Sequence, residues 1–236
     1  KMVQKSRDEF FSIASHELRT PLTAIRGNTA LIRDYYPQVM KDESLAPIIT
    51  DIHTASLRLI NIVNDFLDAS RLELNKIKFK LEPFDITELA KKVVETEKVV
   101  AKEKQIDCNL IIENNQPYMV CADQTRAEQV LYNLVGNAVK FTKEGGVTLE
   151  IKPGEKNMVM IRVIDTGVGI PKENHDLLFK KFQQAGDNLF TREASQGSGM
   201  GLYISLLLAQ GMHATIRLES SELGKGSVFV LELPKG

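Results

Sequence analysis

Residues 15–21 read SHELRTP, and they lie within the stretch that decides the fold of the first third of the chain. From about residue 4 to residue 36 the apolar residues recur at helical spacing, which predicts one long helix. The dipeptide Tyr36-Pro37 ends this helix, because the residue before a proline is pushed out of the α region. A second helix is predicted from about Ser44, where apolar residues alternate by four and three as in a heptad repeat. The first third of the chain is therefore predicted to form a helical hairpin.

The apolar stripe of the second predicted helix is too broad for a seam between two helices. Ile49, Ile60 and Val63 widen it beyond the heptad positions. Two helices of about 30 residues cannot bury so broad a face against each other alone. A homodimer that forms a four-helix bundle is therefore expected.

Composition limits the remaining possibilities. Of the 236 residues, 26% are charged, and the formal net charge is only −1, so no nucleic-acid partner is expected. No apolar run reaches the roughly 20 residues that a membrane helix needs, and no signal peptide opens the chain. We therefore expect a cytoplasmic fragment without a membrane segment, an expectation that leaves open a membrane anchor in the full-length protein.

The sequence pattern changes near residue 81, where we expect the boundary between a helical domain (1–80) and a second domain (81–236). The segment EPFDITEL begins with a strand-like entry. Asp85 is then predicted to cap a helix, because Glu88 follows three residues later in a capping-box pattern. Helices are predicted at about 86–104, 124–141, 172–182 and 201–210, and strands at 107–112, 147–152, 158–165, 214–220 and 227–233. The expected fold class is α + α/β, a helical hairpin followed by a two-layer α/β sandwich.

His16 is the candidate nucleophile of the SHELRTP segment. Glu17 can accept a hydrogen bond from one ring nitrogen, which fixes the tautomer and frees the lone pair of the other nitrogen. Thr20 follows one helical turn later on the same face, where its hydroxyl can position a water. Pro21 lacks an N–H for the carbonyl of Glu17, so we expect a weakened or bent helix beside His16. The zinc motif HExxH is excluded, because Thr20 stands in place of the second histidine.

A second polar group lies in EQVLYNLVGNAVKFT, residues 128–142. On a helix Asn133 and Asn137 face the same way, and Lys140 follows three residues later. Two carboxamide oxygens and an ammonium suit Mg²⁺ and phosphates, because Mg²⁺ prefers hard oxygen ligands. A polar helix face without a ligand is the alternative interpretation of this helix taken alone.

The segment DTGVGIP begins at the end of a predicted strand with Asp165, Gly167 and Gly169. A carboxylate in this place can accept a hydrogen bond from an adenine amino group, and the glycines let the backbone approach the base. A single GxG pattern is weak evidence, because glycines often mark turns.

The segment GSGMGL carries Gly197, Gly199 and Gly201 and opens a predicted helix near Leu202. Such a helix start presents backbone N–H groups to phosphate. No strand is predicted directly before it, which excludes the dinucleotide-binding fingerprint of a Rossmann fold.

The order and the amino-acid sequences of these segments resemble those in the catalytic core of a sensor histidine kinase. SHELRTP is similar to the H box of that family, NLVGNAVKFT to the N box and DTGVGIP to the G1 box. LFKKFQQ (residues 178–184) is similar to the F box and GSGMGL to the G2 box. The resemblance spans nearly the whole chain and implies a dimerisation and phosphoacceptor hairpin followed by a Bergerat-type ATP-binding domain.

The resemblance implies that His16 accepts the γ-phosphoryl group of ATP, with Glu17 as its acid–base partner. Thr20 would align a water when a partner protein is dephosphorylated. It also implies a response-regulator receiver domain whose aspartate takes the phosphoryl group from His16, a homodimer, and an upstream sensor domain outside this chain.

For the nucleotide site, the resemblance implies ATP and Mg²⁺, with Mg²⁺ bound by Asn133 and Asn137, phosphate contacted by Lys140, and adenine recognised by Asp165. The other implied contacts of the nucleotide are Gly167, Gly169, Lys180, Arg192, Gly197, Gly199, Gly201 and Leu202. Glutamines at positions 183 and 184 replace an arginine that many members have. The resemblance also implies that residues 183–198 form a lid over the nucleotide. The basic residue that contacts phosphate from this region stays open between Arg192, Lys180 and Lys181.

Two functions of other classes remain as alternatives. A dimeric scaffold that binds ATP as a signal would not need His16 followed by Glu17. A hydrolytic ATPase with the same nucleotide fold usually has a glutamate where this chain has Asn133, and asparagine cannot act as a base toward water.

Overall fold

The computed structural model describes residues 2–74, 76–181 and 199–236, apart from the side chains of residues 2–17. The chain opens with the helices α1 (Met2–Tyr35), α2 (Pro37–Met40) and α3 (Leu45–Glu73). Helix α1 continues through Pro21, so the expected weakening does not interrupt it. Between the two long helices the sequence predicts a short polar turn, whereas Pro37–Met40 forms a four-residue helix there. Proline favours the first position of a helix, where its missing N–H has no partner to lose.

Helices α1 and α3 pack antiparallel, and two polar contacts fix their register. Arg19 Nη2 donates to Asn64 Oδ1 at 2.8 Å near one end of the hairpin. Thr29 Oγ1 and His53 Nδ1 lie 2.9 Å apart further along. The hairpin predicted from the two helical stripes is therefore present.

The second part of the chain mixes strands and helices in the order β1, α4, β2, β3, α5, β4, β5, α6, β6, β7. Their bounds are β1 Glu82–Asp85, α4 Ile86–Glu103, β2 Asp107–Ile112, β3 Met119–Ala122, α5 Gln124–Phe141, β4 Gly146–Pro153, β5 Met158–Asp165, α6 Gly201–Gly211, β6 Thr215–Glu222 and β7 Gly226–Pro234. Five strands form a sheet of order β2-β4-β5-β7-β6, in which only the β2–β4 pair is parallel. Strands β1 and β3 form a separate antiparallel pair.

Two details of this part differ from the prediction. Strand β3 is absent from the predicted elements, because four residues are too few to show a period and its partner β1 lies far away in sequence. The helix predicted at 172–182 is wrong, because Lys172–Leu177 forms a 3-10 helix instead. Residues 182–198 lie outside the described part of the chain.

Asp85 caps α4 as expected, but its carboxylate accepts from the backbone N–H of Thr87 at 2.9 Å. Glu88 pairs with Lys91 at 2.6 Å. Asp85 therefore caps α4 without the expected capping box with Glu88.

Helices α4, α5 and α6 cover one face of the five-stranded sheet, and the core lies between these two layers. In β4 and β5 every second residue is buried, which is the period-2 pattern of a sheet with one covered face. Fully burying a leucine, isoleucine or valine side chain stabilises the folded state by roughly 1.5–3 kcal/mol. The expected fold class, a helical hairpin followed by a two-layer α/β sandwich, is confirmed.

The end of α3 belongs to the same core as the sheet. Ala69 and Leu72 are buried in it, and Phe66 and Phe79 pack against it. Gly211, the last residue of α6, lies so close to the ring of Phe79 that a Cβ there would overlap it. The hairpin and the second part of the chain therefore meet in one packed interface.

We predict that Gly211→Ala destabilises the protein by about 1–3 kcal/mol, because the added methyl group must displace the Phe79 ring. Gly27, inside α1, is the matched control, since a Cβ there meets no atom within 4 Å. Gly27→Ala should stabilise the protein by about 0.5–1 kcal/mol through helix propensity alone. Urea unfolding of both variants measures the difference, and equal effects would contradict the proposed overlap.

Candidate functional site

A cavity of about 600 Å³ opens where α5, α6, the end of β5 and the middle of α3 meet. Most of the residues singled out from the second part of the sequence line it: Asn133, Asn137, Lys140, Asp165, Gly169, Gly199, Gly201 and Leu202. Gly167 and Lys180 do not line it. Arg192 and Gly197 lie outside the described residues. Segments far apart in the sequence are thus brought to one cavity by the fold.

Asp165 ends β5 and is only 8% exposed. Its Oδ1 accepts hydrogen bonds from the backbone N–H groups of Gly167 at 2.8 Å and Ser227 at 3.2 Å. Burial raises the pKa of the carboxyl group, and the two backbone donors lower it by a smaller amount. Among the described residues no donor pairs with Oδ2, so this oxygen is the acceptor that the cavity offers to a ligand.

The DTGVGIP segment is fixed to strands β6 and β7 by close backbone contacts. Gly169 has φ +68°, and a Cβ there would collide with the carbonyl of Glu222. The backbone N–H of Ile170 donates to Ser221 Oγ at 2.8 Å, and Ser221 Oγ lies 2.9 Å from Ser227 Oγ. The loop beside Asp165 therefore has a defined position. The sequence carried no signal for the two serines, since single serines in strands form no motif.

Asn133 and Asn137 lie one turn apart on α5 and face the start of α6. Asn133 Nδ2 donates to Ser205 Oγ at 2.8 Å, and Asn133 Oδ1 accepts from Asn137 Nδ2 at 3.4 Å. A Cβ at Gly201 would overlap Asn133 Oδ1, so the backbone of α6 approaches this amide closely. The pair presents the Oδ1 atom of Asn137 as a hard oxygen in the cavity.

Two lysines lie at the end of α5. Lys140 Nζ lies 4.9 Å from the centroid of the Phe141 ring. Lys104 Nζ donates to the carbonyls of Val139 and Lys140 at 2.6 and 2.7 Å. A cation in this position opposes the negative end of the helix dipole. Lys104 has no signature in the sequence, because its contact joins residues 35 and 36 positions apart.

The two lysines of the LFKKFQQ segment, Lys180 and Lys181, lie in different surroundings. Lys181 Nζ lies 2.5 Å from Glu73 Oε1 and 5.4 Å from the ring centroid of Tyr203. The hydroxyl of Tyr203 also donates to Glu73 Oε1, at 2.8 Å, and the pKa of Tyr203 rises to about 12 through burial and this bond. Lys181 therefore joins α3 to α6. Lys180 lies outside the cavity lining.

The SHELRTP segment lies within α1. The side chains of His16 and Glu17 fall outside the described part of the structure. Thr20 is exposed. Arg19, one helical turn after His16, binds Asn64 of α3, so the hairpin register is defined next to this segment.

Helix α3 forms one wall of the cavity. Arg58, Asn61, Ile62 and Asp65 all line it, at the spacing of a single helix face. No sequence motif marks this face, because α3 resembles any amphipathic helix. The helical hairpin thus contributes directly to the cavity of the second part.

The described residues exclude some kinds of site. Within the described ranges, no group of three His, Cys, Asp or Glu side chains is placed to hold a metal ion. The lining offers the carboxamide oxygens of Asn133 and Asn137, which are hard oxygen ligands. Among the same residues, no helix has both the length and the apolar character to cross a membrane.

Two family models match the chain. Residues 6–75 match the family described as His Kinase A (phospho-acceptor) domain. Residues 122–236 match the family described as histidine kinase-, DNA gyrase B-, and HSP90-like ATPase. The first match covers the helical hairpin, and the second covers the larger part of the α/β sandwich.

Similar proteins agree with both matches. The chain is 36% identical over 230 residues to the aerobic respiration control sensor protein ArcB of Escherichia coli (strain K12), covering 97% of this chain and 29% of that protein. It is 34% identical over 232 residues to the circadian input-output histidine kinase CikA of Synechococcus elongatus, covering 98% of this chain and 30% of that protein. The chain thus spans less than a third of the length of these relatives.

A solved structure, that of full-length ShkA in complex with AMPPNP, is similar over 97% of this chain and 46% of that chain, with a TM-score of 0.79 and 30% identity. The helical hairpin and the α/β sandwich therefore occur together in a related kinase. The two family models, the relatives and this likeness together show that the chain belongs to the sensor histidine kinases and corresponds to their catalytic core.

Proposed function

We propose that this chain transfers the γ-phosphoryl group of ATP to His16 and then from His16 to an aspartate of a response-regulator receiver domain. In the other signalling state it would assist removal of that phosphoryl group from the regulator. The observation that carries the proposal is the cavity, which combines a buried carboxylate acceptor, Asp165, with two carboxamides and one lysine on α5. The family of the chain supplies the link from that cavity to His16.

Adenine recognition is proposed for Asp165. Its Oδ1 is held by two backbone N–H groups, so Oδ2 has a fixed direction toward the cavity. An ionised carboxylate oxygen accepts from an exocyclic amino group but would repel the carbonyl of a guanine in the same place. Gly167 contributes the N–H that holds Oδ1, and Gly169 sets the backbone beside the base. Adenine nucleotides are therefore the expected ligands.

Mg²⁺ is proposed to bind between Asn137, Asn133 and the phosphates. When bound there, Mg²⁺ would neutralise phosphate charge and polarise the phosphoryl oxygens. Asn137 Oδ1 is the better placed protein ligand, because Asn133 Oδ1 already accepts from Asn137 Nδ2. Asn133, held by Ser205, would orient its neighbour and share the site. Lys140 is proposed to contact phosphate.

Other phosphate contacts are proposed at the start of α6 and in the segment before it. Gly199, Gly201 and Leu202 line the cavity where α6 begins, so unpaired backbone N–H groups of the first helical turn are available there. Arg192 and Gly197 stay proposals that rest on the resemblance alone. Of the two F-box lysines, Lys180 remains a proposed contact, whereas Lys181 is bound to Glu73.

For the acceptor, we propose that His16 attacks the γ-phosphorus through one ring nitrogen while Glu17 accepts the hydrogen bond of the other. As the N–P bond forms, the bond between the γ-phosphorus and the bridging oxygen breaks and ADP leaves. The carboxylate of Glu17 stabilises the positive charge that develops on the ring. Thr20, one turn further on the same helix, is proposed to position a water for dephosphorylation of the regulator. Positioning and charge neutralisation provide most of the rate in phosphoryl transfer.

Transfer to histidine is favoured over hydrolysis of ATP by the residue at position 133. Asn133 donates to Ser205 and accepts from Asn137, and a carboxamide has no basic site that could take a proton from water. A hydrolytic ATPase needs such a base. The proposed transfer from ATP is therefore to His16 rather than to water.

A homodimer is proposed from the exposed apolar side chains of the hairpin. In α1 and α3 the large exposed residues include Leu18, Ile25, Leu31, Leu45, Ile48, Ile52 and Leu59. A second hairpin would cover such a face in a four-helix bundle. We also propose that the chain divides at 80/81, between α3 and β1, and that an upstream sensor domain and a receiver domain are its partners.

The test is incubation of the purified chain with γ-labelled ATP and Mg²⁺. We predict a label that is stable to alkali and lost in acid, as expected of phosphohistidine, and we predict its loss in His16→Gln. His53→Gln is the matched control, because His53 lies on the same hairpin but binds Thr29.

A label that persists in His16→Gln would overturn the assignment of the acceptor. Release of free phosphate without any label would favour the hydrolytic ATPase. ATP binding with neither label nor phosphate release would favour the scaffold.

Asp165→Asn is predicted to weaken ATP binding at least tenfold, because an amide N–H₂ would replace the acceptor of the adenine amino group. The same variant should be more stable than the parent at pH 7. Burial raises the folded-state pKa of Asp165, so the stability difference is absent below about pH 3.8, where the carboxyl group is protonated in both states, and grows as pH rises through the folded pKa.

Urea unfolding at several pH values, with calorimetric titration of ATP, measures both effects. Asp107→Asn is the control, since Asp107 is exposed and lies outside the cavity. Equal stability of Asp165→Asn and its parent at neutral pH would contradict the electrostatic part of this prediction.

A further inference from the structure

The contribution of α3 to the nucleotide cavity is fixed by contacts at the end of that helix. Ala69 is 3% exposed and Leu72 is 7% exposed, both within the core of the α/β sandwich. Glu73 follows with the 2.8 Å bond from Tyr203 and the 2.5 Å ion pair to Lys181. Apolar and polar contacts together hold the last turns of α3 against α6.

The preceding turns of the same helix cross the cavity. Arg58, Asn61, Ile62 and Asp65 stand at i, i+3, i+4 and i+7, which places them on one face, and all four line the cavity. The same lining contains Asn133, Asn137 and Lys140. A ligand in this cavity is therefore bordered by the hairpin on one side and by α5 on the other.

The supply of cations in this cavity is limited. Among the described residues, Arg58 and Lys140 are the basic side chains that line it. Lys181 is bound to Glu73, and Lys180 lies outside the lining. A nucleoside triphosphate carries several negative charges, of which one Mg²⁺ neutralises two. A further cation close to the phosphates is therefore favourable.

Arg58 is available for that role. Within the described part of the chain its guanidinium makes no hydrogen bond and no ion pair. Asp65, the acidic residue on the same helix face, lies seven residues away, which is about 10.5 Å along the axis. That separation exceeds the i, i+4 spacing at which helical side chains pair. A guanidinium binds phosphate oxygens with two parallel N–H groups.

We propose that Arg58 is a nucleotide-binding residue supplied by the helical hairpin, whose guanidinium contacts the polyphosphate of the adenine nucleotide held by the same chain. The inference rests on the proposed function of the cavity and extends it to α3. It gives the hairpin a second role besides carrying His16.

The test compares ligands that differ only in their phosphates. In calorimetric titrations of the whole chain, Arg58→Gln should bind a non-hydrolysable ATP analogue with Mg²⁺ about tenfold more weakly, as expected for the loss of a charge-assisted hydrogen bond. Adenosine should bind equally to Arg58→Gln and to the parent. Arg58→Lys should recover part of the loss, because it keeps the charge but not the paired N–H groups.

Arg71→Gln is the matched control, because Arg71 lies on the same helix but does not line the cavity. It should bind the ATP analogue like the parent. The inference is overturned if Arg58→Gln binds the analogue as tightly as the parent does. It is also overturned if Arg58→Gln loses adenosine and ATP affinity by the same factor, since the change would then act on the shape of the cavity. A parent chain that binds no adenine nucleotide would instead overturn the proposed function.

Discussion

Helix α3 has to pack against two partners at once, and the rest of the structure depends on this constraint. Along most of its length it lies beside α1, where Arg19–Asn64 and Thr29–His53 define the register. Its last turns lie in the core of the α/β sandwich, where Ala69 and Leu72 are buried. A single continuous helix therefore sets the position of the α1 segment that carries His16 relative to the nucleotide cavity.

The burial of Asp165 lowers the stability of the folded chain and keeps a carboxylate in the cavity lining. A carboxylate that is 8% exposed is unfavourable in its charged form, and two backbone N–H groups offset only part of that cost. Both N–H groups donate to Oδ1, and among the described residues no donor binds Oδ2. The pairing of β5 with β7 holds Asp165 in this position.

The parts of the fold with a clear period or a local motif were predictable from the sequence. The helices α1, α3 and α5 and the strands β4 and β5 have long apolar patterns, and the polar groups of α5 and DTGVGIP form recognisable segments. The parts that were missed depend on contacts between distant residues. Strand β3 forms by pairing with β1, and Lys104 donates to a backbone carbonyl at the end of α5. No local pattern records either contact.

The distribution of charge in the cavity follows from the same long-range contacts. The buried carboxylate of Asp165 favours a hydrogen-bond donor and disfavours an anion. The end of α5 contacts the loop that follows Asp165, since the backbone N–H of Val168 donates to the carbonyl of Phe141 at 3.3 Å. There Lys140 adds positive charge, and Lys104 opposes the negative end of the helix dipole. Because the middle of α3 lines the cavity together with α5 and α6, both parts of the chain shape it.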